Sequence, residues 1–351
     1  MTLVTYHRKD FFSMRISARN IRCVIMLGLA VCCYPTALAQ KAVSPPAVLD
    51  PSIVAVDVVA LNAKTSAIVP GLSKSDFRLL DNGRETPIVS FGSGAHYSVS
   101  PIALWLVLSC NDFGVVDFAS AFMRGKTQYL LPALTHLDKT DTVGVAHWCG
   151  NGTQAIDLPP EHNPDAAIGA LNDLLKQKPV EGTNRQAEDA KQRMVEMILA
   201  GTQKMSPRHL PVLVFLYGDA GYAFQNEADN ILRGLLATPS FVYGLNNAGY
   251  HFDPSAMYGG GRVYYEVHYL SLSTGGNVYG TPDPTQFSKA LDYILLQMHF
   301  RYTLGFKPAA FDGKKHDLKI ELTVDGQRKY ADAVLRYRSQ FIPLMAPANG
   351  H

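Results

Sequence analysis

One stretch, Pro101–Asn111, constrains the fold of this chain more than any other, because its residues from Ile102 to Leu108 are all apolar. Such a run is typical of a central strand in a parallel sheet that is covered on both faces. Similar runs occur at Val143–Trp148 and Leu210–Leu216, and helical sequence separates the three. The pattern predicts an α/β fold, with a doubly wound, mostly parallel sheet whose carboxyl strand ends carry the ligand chemistry.

Four helices and a further strand complete the α/β region, which we expect to span residues 99–300. The sequence predicts helices at Phe118–Leu137, Gln186–Met205, Ala228–Leu236 and Pro284–Phe300, and a strand at Phe241–Leu245. One stripe of the last helix is apolar, which indicates a surface that faces the core. Its members are Phe287, Leu291, Ile294, Leu295 and Met298.

β patterning occurs on both sides of this region, at residues 50–98 and 301–345. A strand is predicted at Ile53–Leu61, and a hairpin at Phe77–Phe91 around the turn Asn82-Gly83. In the tail, strands are predicted at residues 302–306, 316–324 and 330–337, with a turn at Asp325-Gly326. Because the ends of an inserted domain tend to lie close together, we expect the two segments to form one small β domain.

Residues 1–39 have the organisation of a secretory signal peptide. A basic segment with Arg15, Arg19 and Arg22 precedes the apolar run Cys23–Cys33, and Ala37–Ala39 supplies a cleavage site. The apolar run is shorter than a membrane-spanning helix requires. With a Pro/Ala-rich linker at residues 40–49, the sequence predicts an exported protein, periplasmic or secreted, with no membrane insertion after cleavage.

The charge of the mature chain is close to neutral. Residues 1–39 hold five of the 32 Lys and Arg residues and one of the 30 Asp and Glu residues, which leaves 27 basic and 29 acidic residues. A balance of this kind argues against nucleic acid or anionic lipid as a partner, since both are bound by strongly basic surfaces.

Two cysteines, Cys110 and Cys149, remain after removal of the predicted signal peptide. Each directly follows a predicted strand, and the ends of neighbouring parallel strands lie about 5 Å apart. That spacing allows a disulfide, which an oxidising compartment would favour. Two buried free thiols are the alternative.

Several motifs resemble those of secreted bacterial von Willebrand factor A (VWFA)-related proteins. Gly71–Phe77, Leu80–Gly83 and Pro87–Phe91 resemble the family's entry segment. Leu272–Asn277 resembles the segment near the end of its A domain, and Arg301–Phe306 resembles its exit strand. The motifs occur in the family's order and span nearly all of the mature chain.

The resemblance implies a metal-ion-dependent adhesion site at the carboxyl strand ends, where oxygen ligands hold Mg²⁺ or Mn²⁺. Ser109, Asn111 and Phe113 occupy the positions of the family's Asp-x-Ser-x-Ser, and Thr183 matches its threonine. Its later aspartate corresponds to Asp219, in a reversed Gly-Asp pair.

These departures predict a degenerate site kept as a binding surface. Phe113 cannot ligate a cation, and neutral Ser109 lacks the charge of an aspartate. Asp112 and Asp219 are the acidic side chains that would serve a rearranged site. The predicted cofactor is therefore none, with Mg²⁺ or Mn²⁺ as the alternative.

A segment rich in tyrosine and glycine, residues 243–269, begins within the predicted strand Phe241–Leu245, and most of it follows that strand. Tyr250, Tyr258, Tyr264 and Tyr265 are the candidate binding residues, because tyrosine offers a large contact area at low entropic cost. An internally packed loop is the alternative.

The sequence thus predicts a non-enzymatic binding module for a protein or a cell-surface polymer. Two rivals are a metal-dependent adhesion module and an exported hydrolase that uses Asp219 with His147 as an acid/base pair. A third is a purely structural envelope protein. The sequence lacks a Gly-x-Ser-x-Gly elbow, a P-loop and a Cys-x-x-Cys or His-Glu-x-x-His zinc motif.

Overall fold

The structure, a computed structural model, describes residues 50, 52–94, 99–109, 125–177, 183–205, 208–217, 222–246, 263–280, 283 and 285–343. The predicted signal peptide and linker lie outside this part of the chain. All described residues belong to one unit, which begins at Leu49.

The strands are β1 (Val54–Asn62), β2 (Phe77–Asp81), β3 (Arg84–Glu85), β4 (Ile88–Ser93), β5 (Ile102–Ser109), β6 (Thr142–Trp148), β7 (Gln154–Glu161), β8 (Leu210–Tyr217), β9 (Tyr222–Phe224), β10 (Phe241–Asn246), β11 (Val263–Tyr265), β12 (Val278–Gly280), β13 (Tyr302–Phe306), β14 (His316–Leu322), β15 (Ala333–Tyr337) and β16 (Gln340–Phe341). The helices are α1 (Leu131–Leu134), α2 (Pro164–Lys176), α3 (Asn184–Met205), α4 (Gln225–Ala237), α5 (Glu266–Thr274), α6 (Gln286–His299) and α7 (Val324–Lys329). Among these helices, none is both long and apolar enough to cross a membrane.

The central sheet has the strand order β12-β10-β8-β5-β6-β7. All of its pairs are parallel except β6 with β7, so the predicted mostly parallel sheet is confirmed. The antiparallel edge strand β7 was not predicted. It follows β6 through a turn in which Gly152 adopts a φ of +88°, a conformation that glycine adopts without strain.

Helices cover both faces of this sheet, which makes it doubly wound. Alternate residues of β5 enter two separate cores: Leu104 and Leu106 pack on the side of α1, α2 and α6, whereas Trp105 and Val107 pack on the side of α3, α4 and α5. The predicted apolar stripe of α6 is buried along its whole length. The near-continuous apolar run that predicted β5 is thus explained by burial on two faces.

The two ends of the described chain build a β domain of two packed sheets, with strand orders β15-β1-β13-β4 and β16-β14-β2-β3. Strand β1 pairs with β13 and β15, and β2 pairs with β14. Side chains from both sheets share one core, including Val58, Phe77, Leu304 and Ile320. The predicted fold class, an α/β sheet with a small β domain from both terminal segments, is confirmed. The predicted domain boundaries at residues 98 and 300 stay a prediction.

The predicted hairpin at Phe77–Phe91 is wrong in its second strand. Asn82 and Gly83 have φ values of +49° and +77°, as a tight hairpin turn requires. However, β2 pairs with the two-residue strand β3, and β4 crosses to the other sheet to pair with β13. Pro87 separates β3 from β4, and proline cannot donate a ladder hydrogen bond.

The predicted turn at Asp325-Gly326 is also wrong, because both residues belong to helix α7. The side chain of Thr323 caps this helix by accepting a hydrogen bond from the N–H of Gly326 at 3.2 Å. The helix carries the chain from β14 in one sheet to β15 in the other.

The predicted helix Phe118–Leu137 is not continuous: its described part contains a 3₁₀ turn at Thr127–Tyr129 and the four-residue helix α1.

Buried arginines join the β domain to the end of the central sheet at which β5, β8 and β10 begin, here called the amino edge. Arg301, 1% exposed, forms a salt bridge of 2.9 Å with Asp57 and donates to the carbonyls of Met298 and Ser100. Arg338 donates to three carbonyls at the end of α4 and the start of β10, and burial lowers its pKa to about 10. It therefore stays charged near neutral pH.

Two glycines allow a close approach at the same edge. A Cβ on Gly276 would lie 1.9 Å from the carbonyl oxygen of Val242, and one on Gly275, whose φ is +90°, would lie 2.8 Å from the backbone of Tyr337. The hydroxyl of Thr274 accepts a hydrogen bond from the N–H of Val242 at 2.9 Å. The Thr-Gly-Gly motif thus packs the end of α5 against β10 and β15.

Candidate functional site

The opposite end of the sheet, here called the carboxyl edge, is where the predicted site residues were expected to meet. The strand register aligns the ends of the strands at this edge. Ser109 lies opposite Trp148, and Asn246 lies opposite Tyr217 and Gly280. The chain therefore leaves β5, β6, β8 and β10 at one edge, as the prediction required. The backbone of Ser109 ends β5 there. Six predicted site residues lie outside the described residues: Cys110, Asn111, Asp112, Asp219, Tyr250 and Tyr258.

Thr183 is the predicted metal ligand whose side chain the structure describes, and its hydroxyl caps helix α3. The hydroxyl accepts a hydrogen bond from the N–H of Gln186 at 3.2 Å and lies 3.0 Å from Oε1 of Gln186. That oxygen in turn accepts from the N–H of Thr183 at 3.2 Å. This reciprocal arrangement is a capping box, which satisfies two otherwise free helix N–H groups. The presence of Thr183 is thus explained by helix capping alone.

The turn between β6 and β7 lies beside the start of α3 and is held by bonds within the turn and by one bond from α3. The side-chain oxygen of Asn151 accepts hydrogen bonds from the N–H and the hydroxyl of Thr153, at 3.1 and 2.7 Å. Arg193 of α3 donates to the carbonyl of Gly152 at 2.9 Å. Asn151, Thr153 and Thr183 are all exposed, so this part of the edge presents amide and hydroxyl groups to solvent.

Cys149 follows β6 at this edge. Because Cys110 lies outside the described residues, the predicted disulfide between the two cysteines stays a prediction. The geometric premise of that prediction is met, since β5 and β6 are parallel neighbours and the residues before the two cysteines lie opposite each other.

Tyr264 and Tyr265 do not lie in a loop, because both belong to strand β11. This strand pairs with β9 in a two-stranded antiparallel ribbon, with Tyr264 opposite Ala223 and Tyr265 opposite Tyr222. The ribbon connects the chain that leaves β8 and β10 to the helices α4 and α5. Two of the four nominated tyrosines are therefore held by a regular element at the carboxyl edge.

The first tyrosine of the predicted Tyr-rich segment, Tyr243, is a core residue. It is fully buried in β10, and burial raises its pKa well above the ordinary value for tyrosine. Its hydroxyl donates to Oε1 of Gln297 at 3.3 Å, and Nε2 of Gln297 donates to the hydroxyl of Tyr279 at 2.8 Å. The alternative of internal packing is thus correct for this residue.

A buried ion pair near the carboxyl edge was not predicted from the sequence. Nζ of Lys191 lies 2.8 and 3.0 Å from the two carboxylate oxygens of Glu188, and 5.7 Å from the ring centre of Trp148. Trp148 packs edge-on against Phe215. The spacing of Glu188 and Lys191 on one face of α3 was the available signal. It did not indicate that both charges would be buried beneath the end of β6.

His147, nominated for the hydrolase rival with Asp219, is paired with a different carboxylate. Its Nδ1 atom lies 2.9 and 2.8 Å from the two carboxylate oxygens of Asp157, on the neighbouring strand β7. His147 is 9% exposed, so the contact satisfies a largely buried imidazole. Because Asp219 lies outside the described residues, the proposed Asp219–His147 pair stays untested.

No protein-family model matches the chain. No curated protein matches it either. Among solved structures it is similar to the PilB minor pilin from Streptococcus sanguinis, with 12% identity over 62% of this chain and 63% of the pilin, at a TM-score of 0.38. The chain thus spans less than two thirds of the pilin's length.

Two other similar structures are a von Willebrand factor type A protein from Catenulispora acidiphila and a conserved hypothetical protein, BatB, from Bacteroides thetaiotaomicron. The first is 9% identical over 83% of this chain and 73% of its own, at a TM-score of 0.38. The second is 10% identical over 56% of this chain and 98% of its own, at a TM-score of 0.36. Because these TM-scores are below 0.5, we assign the fold from the strand order and the two helix layers. On that basis the α/β unit is von Willebrand A-like, and the chain resembles bacterial VWFA-related proteins.

Proposed function

We propose that this protein is an exported, non-enzymatic binding module that contacts its partner through the carboxyl edge of its central sheet. The partner is a protein or a cell-surface polymer, and the location is the periplasm or the outside of the cell. The observation that carries the proposal is the placement of the β domain. The β domain packs at the amino edge. This placement leaves the turns and loops at the carboxyl edge for binding.

The chemistry of the described carboxyl edge supports a contact surface. Exposed amide and hydroxyl groups in the β6–β7 turn and at the start of α3 offer hydrogen bonds, and the β9–β11 ribbon carries Tyr264 and Tyr265. Loops held by a rigid scaffold are where binding residues concentrate in folds of this kind. Surfaces that combine tyrosine with small polar residues are typical of adaptable protein or glycan contacts.

Binding without a metal ion is part of the proposal. Thr183 has a complete structural role in the cap of α3, so its presence does not require a cation. Ser109 and Phe113 replace residues that the adhesion-site chemistry needs, and hard divalent ions favour sites rich in carboxylate oxygens. We therefore expect EDTA to leave partner binding unchanged.

The proposal is tested by measuring binding of the purified mature protein to a panel of purified envelope proteins and surface polysaccharides. We expect at least one member of the panel to bind with equal affinity in EDTA and in Mg²⁺. The variant with Tyr250, Tyr258, Tyr264 and Tyr265 all changed to alanine should bind at least tenfold more weakly. Tyr330→Ala in the β domain is the matched control and should bind as the wild type does.

Two results would contradict the proposal: loss of binding in EDTA, which favours the metal-dependent rival, or normal binding by the quadruple variant. Because the changes in β11 could disturb the ribbon, a double variant limited to Tyr250→Ala and Tyr258→Ala is measured alongside. Thermal unfolding of each variant separates a lost contact from a lost fold.

A further inference from the structure

Three side chains that can ligate a metal converge at the amino edge, far from the predicted adhesion site. Asp138 and Asp141 lie between α1 and β6, and His299 is the last residue of α6. One ligand atom from each lies within 4.8 Å of the other two. Nε2 of His299 lies 2.7 Å from Oδ2 of Asp141 and 3.7 Å from Oδ2 of Asp138.

We propose that Asp138, Asp141 and His299 form a binding site for a divalent transition-metal ion such as Zn²⁺ or Mn²⁺. Two carboxylates and an imidazole are a mixed oxygen and nitrogen donor set of the kind these ions take. With the imidazole neutral, the two carboxylates carry a formal charge of −2, which matches the charge of the ion. Water molecules would complete the coordination.

The distances fit an ion after small movements. Metal bonds of about 2.1 Å place two ligand atoms about 3.0 Å apart at a right angle and about 3.4 Å apart at a tetrahedral angle. The 2.7 Å contact with Asp141 and the 3.7 Å contact with Asp138 lie on either side of that range. Shifts of a few tenths of an ångström would therefore bring His299 into position with each aspartate, and the two carboxylates lie within 4.8 Å of each other.

Asp141 can bind an ion without giving up its structural bonds. Its Oδ1 atom accepts from the N–H of Ile102 at 2.9 Å, and its Oδ2 atom accepts from the N–H of Asp138 at 3.0 Å. The ion would replace only the contact between Oδ2 and His299. The imidazole would then bind through Nε2, with its proton on Nδ1.

Two further histidines hold the loop that carries Asp138 and Asp141 in place, so the site is preorganised. Nδ1 of His162 lies 3.0 Å from the carbonyl oxygen of Asp141, and Nε2 of His209 lies 2.7 Å from that of Thr140. Outer contacts of this kind orient metal ligands.

Asp138 is the ligand that is available to turn toward an incoming ion. Within the described residues no hydrogen bond reaches the carboxylate of Asp138, whose side chain is 58% exposed. The side chain of Asp141 is 2% exposed and that of His299 20%, so an ion would enter from the side of Asp138.

An ion in this site would strengthen the junction between the two parts of the molecule. Asp141 holds the first residue of β5, and His299 lies two residues before Arg301, where the chain passes back to the β domain. Because an ion that binds only the folded protein stabilises it, the midpoint of thermal unfolding should rise with metal concentration.

The test is equilibrium dialysis of the mature protein against Zn²⁺ and, separately, Mn²⁺, with metal content measured per chain. We expect one ion per chain in the wild type and in the control Asp325→Asn, an exposed acid on α7. Asp138→Asn should bind at least tenfold more weakly, and His299→Gln should lose the ion. In the wild type, Co²⁺ should give the visible absorption of a site with a nitrogen ligand.

Absence of saturable binding would overturn the proposal, and so would equal affinity in Asp138→Asn and His299→Gln. Asp138 is exposed, so its variant should fold normally even where His299→Gln does not. Asp219→Ala is included because loss of binding in that variant would assign the ion to the carboxyl edge instead.

Discussion

The two edges of the central sheet are built from different kinds of contact. At the amino edge, buried charges join residues far apart in sequence, such as Arg301 and Asp57, 244 positions apart. At the carboxyl edge, the bonds within the Thr183 cap and within the Asn151 turn join residues two or three positions apart, with one longer-range bond from Arg193 to Gly152. The first edge depends on the whole fold, whereas much of the second is shaped locally.

This difference explains how one fold can keep a rigid body and a variable binding end. Local turns and caps can change sequence without unfolding the sheet, and functional residues concentrate in such segments. Buried long-range ion pairs cannot change one partner alone, because the other charge is then left in the interior. The motifs that resemble the VWFA-related family at Thr274–Gly276 and Arg301 lie at the amino edge, where they hold the structure together.

The largest effect is expected from Arg301→Met at the amino edge. The substitution leaves Asp57 largely buried without its partner, and breaking a buried pair in this way costs about 3–5 kcal/mol. Chemical denaturation gives the free energy of unfolding. Arg328→Met, which removes an exposed ion pair on α7, is the control and should change it by less than about 0.5 kcal/mol. Equal effects of the two variants would contradict the special role of the amino edge.

A smaller loss is expected from Gly276→Ala at the same edge. The new methyl group would meet the carbonyl oxygen of Val242, and such overpacking costs about 1–3 kcal/mol. Gly169→Ala in α2 is the matched control, since nothing lies within 4 Å of its Cβ position and alanine favours a helix by about 0.5–1 kcal/mol. The midpoint of thermal unfolding should therefore fall in Gly276→Ala and rise in Gly169→Ala.

At the carboxyl edge, Thr183→Ala should cost only about 1 kcal/mol, the usual value of a helix cap. Thr183→Ser keeps the capping oxygen and should unfold nearly as the wild type does. Under the metal-dependent rival, Thr183→Ala would also abolish Mg²⁺ binding, which calorimetry measures. A loss of several kcal/mol on unfolding would show that this edge is not held locally.

The smallest effect concerns Asp76, a local cap in the β domain, and it depends on pH. Burial raises the pKa of Asp76, but hydrogen bonds from the N–H and hydroxyl of Ser73, both 2.7 Å, outweigh burial and hold the pKa below its ordinary value. The ionised form thus stabilises the fold above the unfolded pKa of about 3.9. That contribution is lost as the pH falls through the folded pKa.

Asp76→Asn should therefore lower the free energy of unfolding by up to about 1 kcal/mol at pH 7 and by less at pH 3. Urea titrations at the two pH values check this, with Asp325→Asn as the control. A difference between wild type and variant that grew on acidification would contradict the assignment.

Sequence patterns predicted the parts of the fold in which local signals and burial agree. The apolar runs of β5, β8 and β10 are long because those strands are covered on both faces. The short strands β9 and β11 were not predicted because each depends on the other, distant in sequence, and β3 was not predicted because it has only two residues. Gly83 indicated a turn correctly. The sequence carried no signal, however, that the strand after Pro87 would join the other sheet.

The candidate sites show the same limit. Motif matching indicated Thr183, whose contacts turn out to be those of a helix cap. Asp138 and His299 were not predicted as a site because 161 positions separate them and neither belongs to a recognisable motif. Lys191 and Glu188 had a helical spacing that is usual on exposed surfaces. Only the packing of α3 over Trp148 reveals that the pair is buried.

The most direct test of the contrast between the edges is calorimetric titration of the mature protein with Mn²⁺, using the wild type, Asp138→Asn and Asp219→Ala. We predict saturable binding of one ion in the wild type and in Asp219→Ala, and binding at least tenfold weaker in Asp138→Asn. Binding that is lost in Asp219→Ala and kept in Asp138→Asn would contradict this account, because it would place a working metal site at the carboxyl edge.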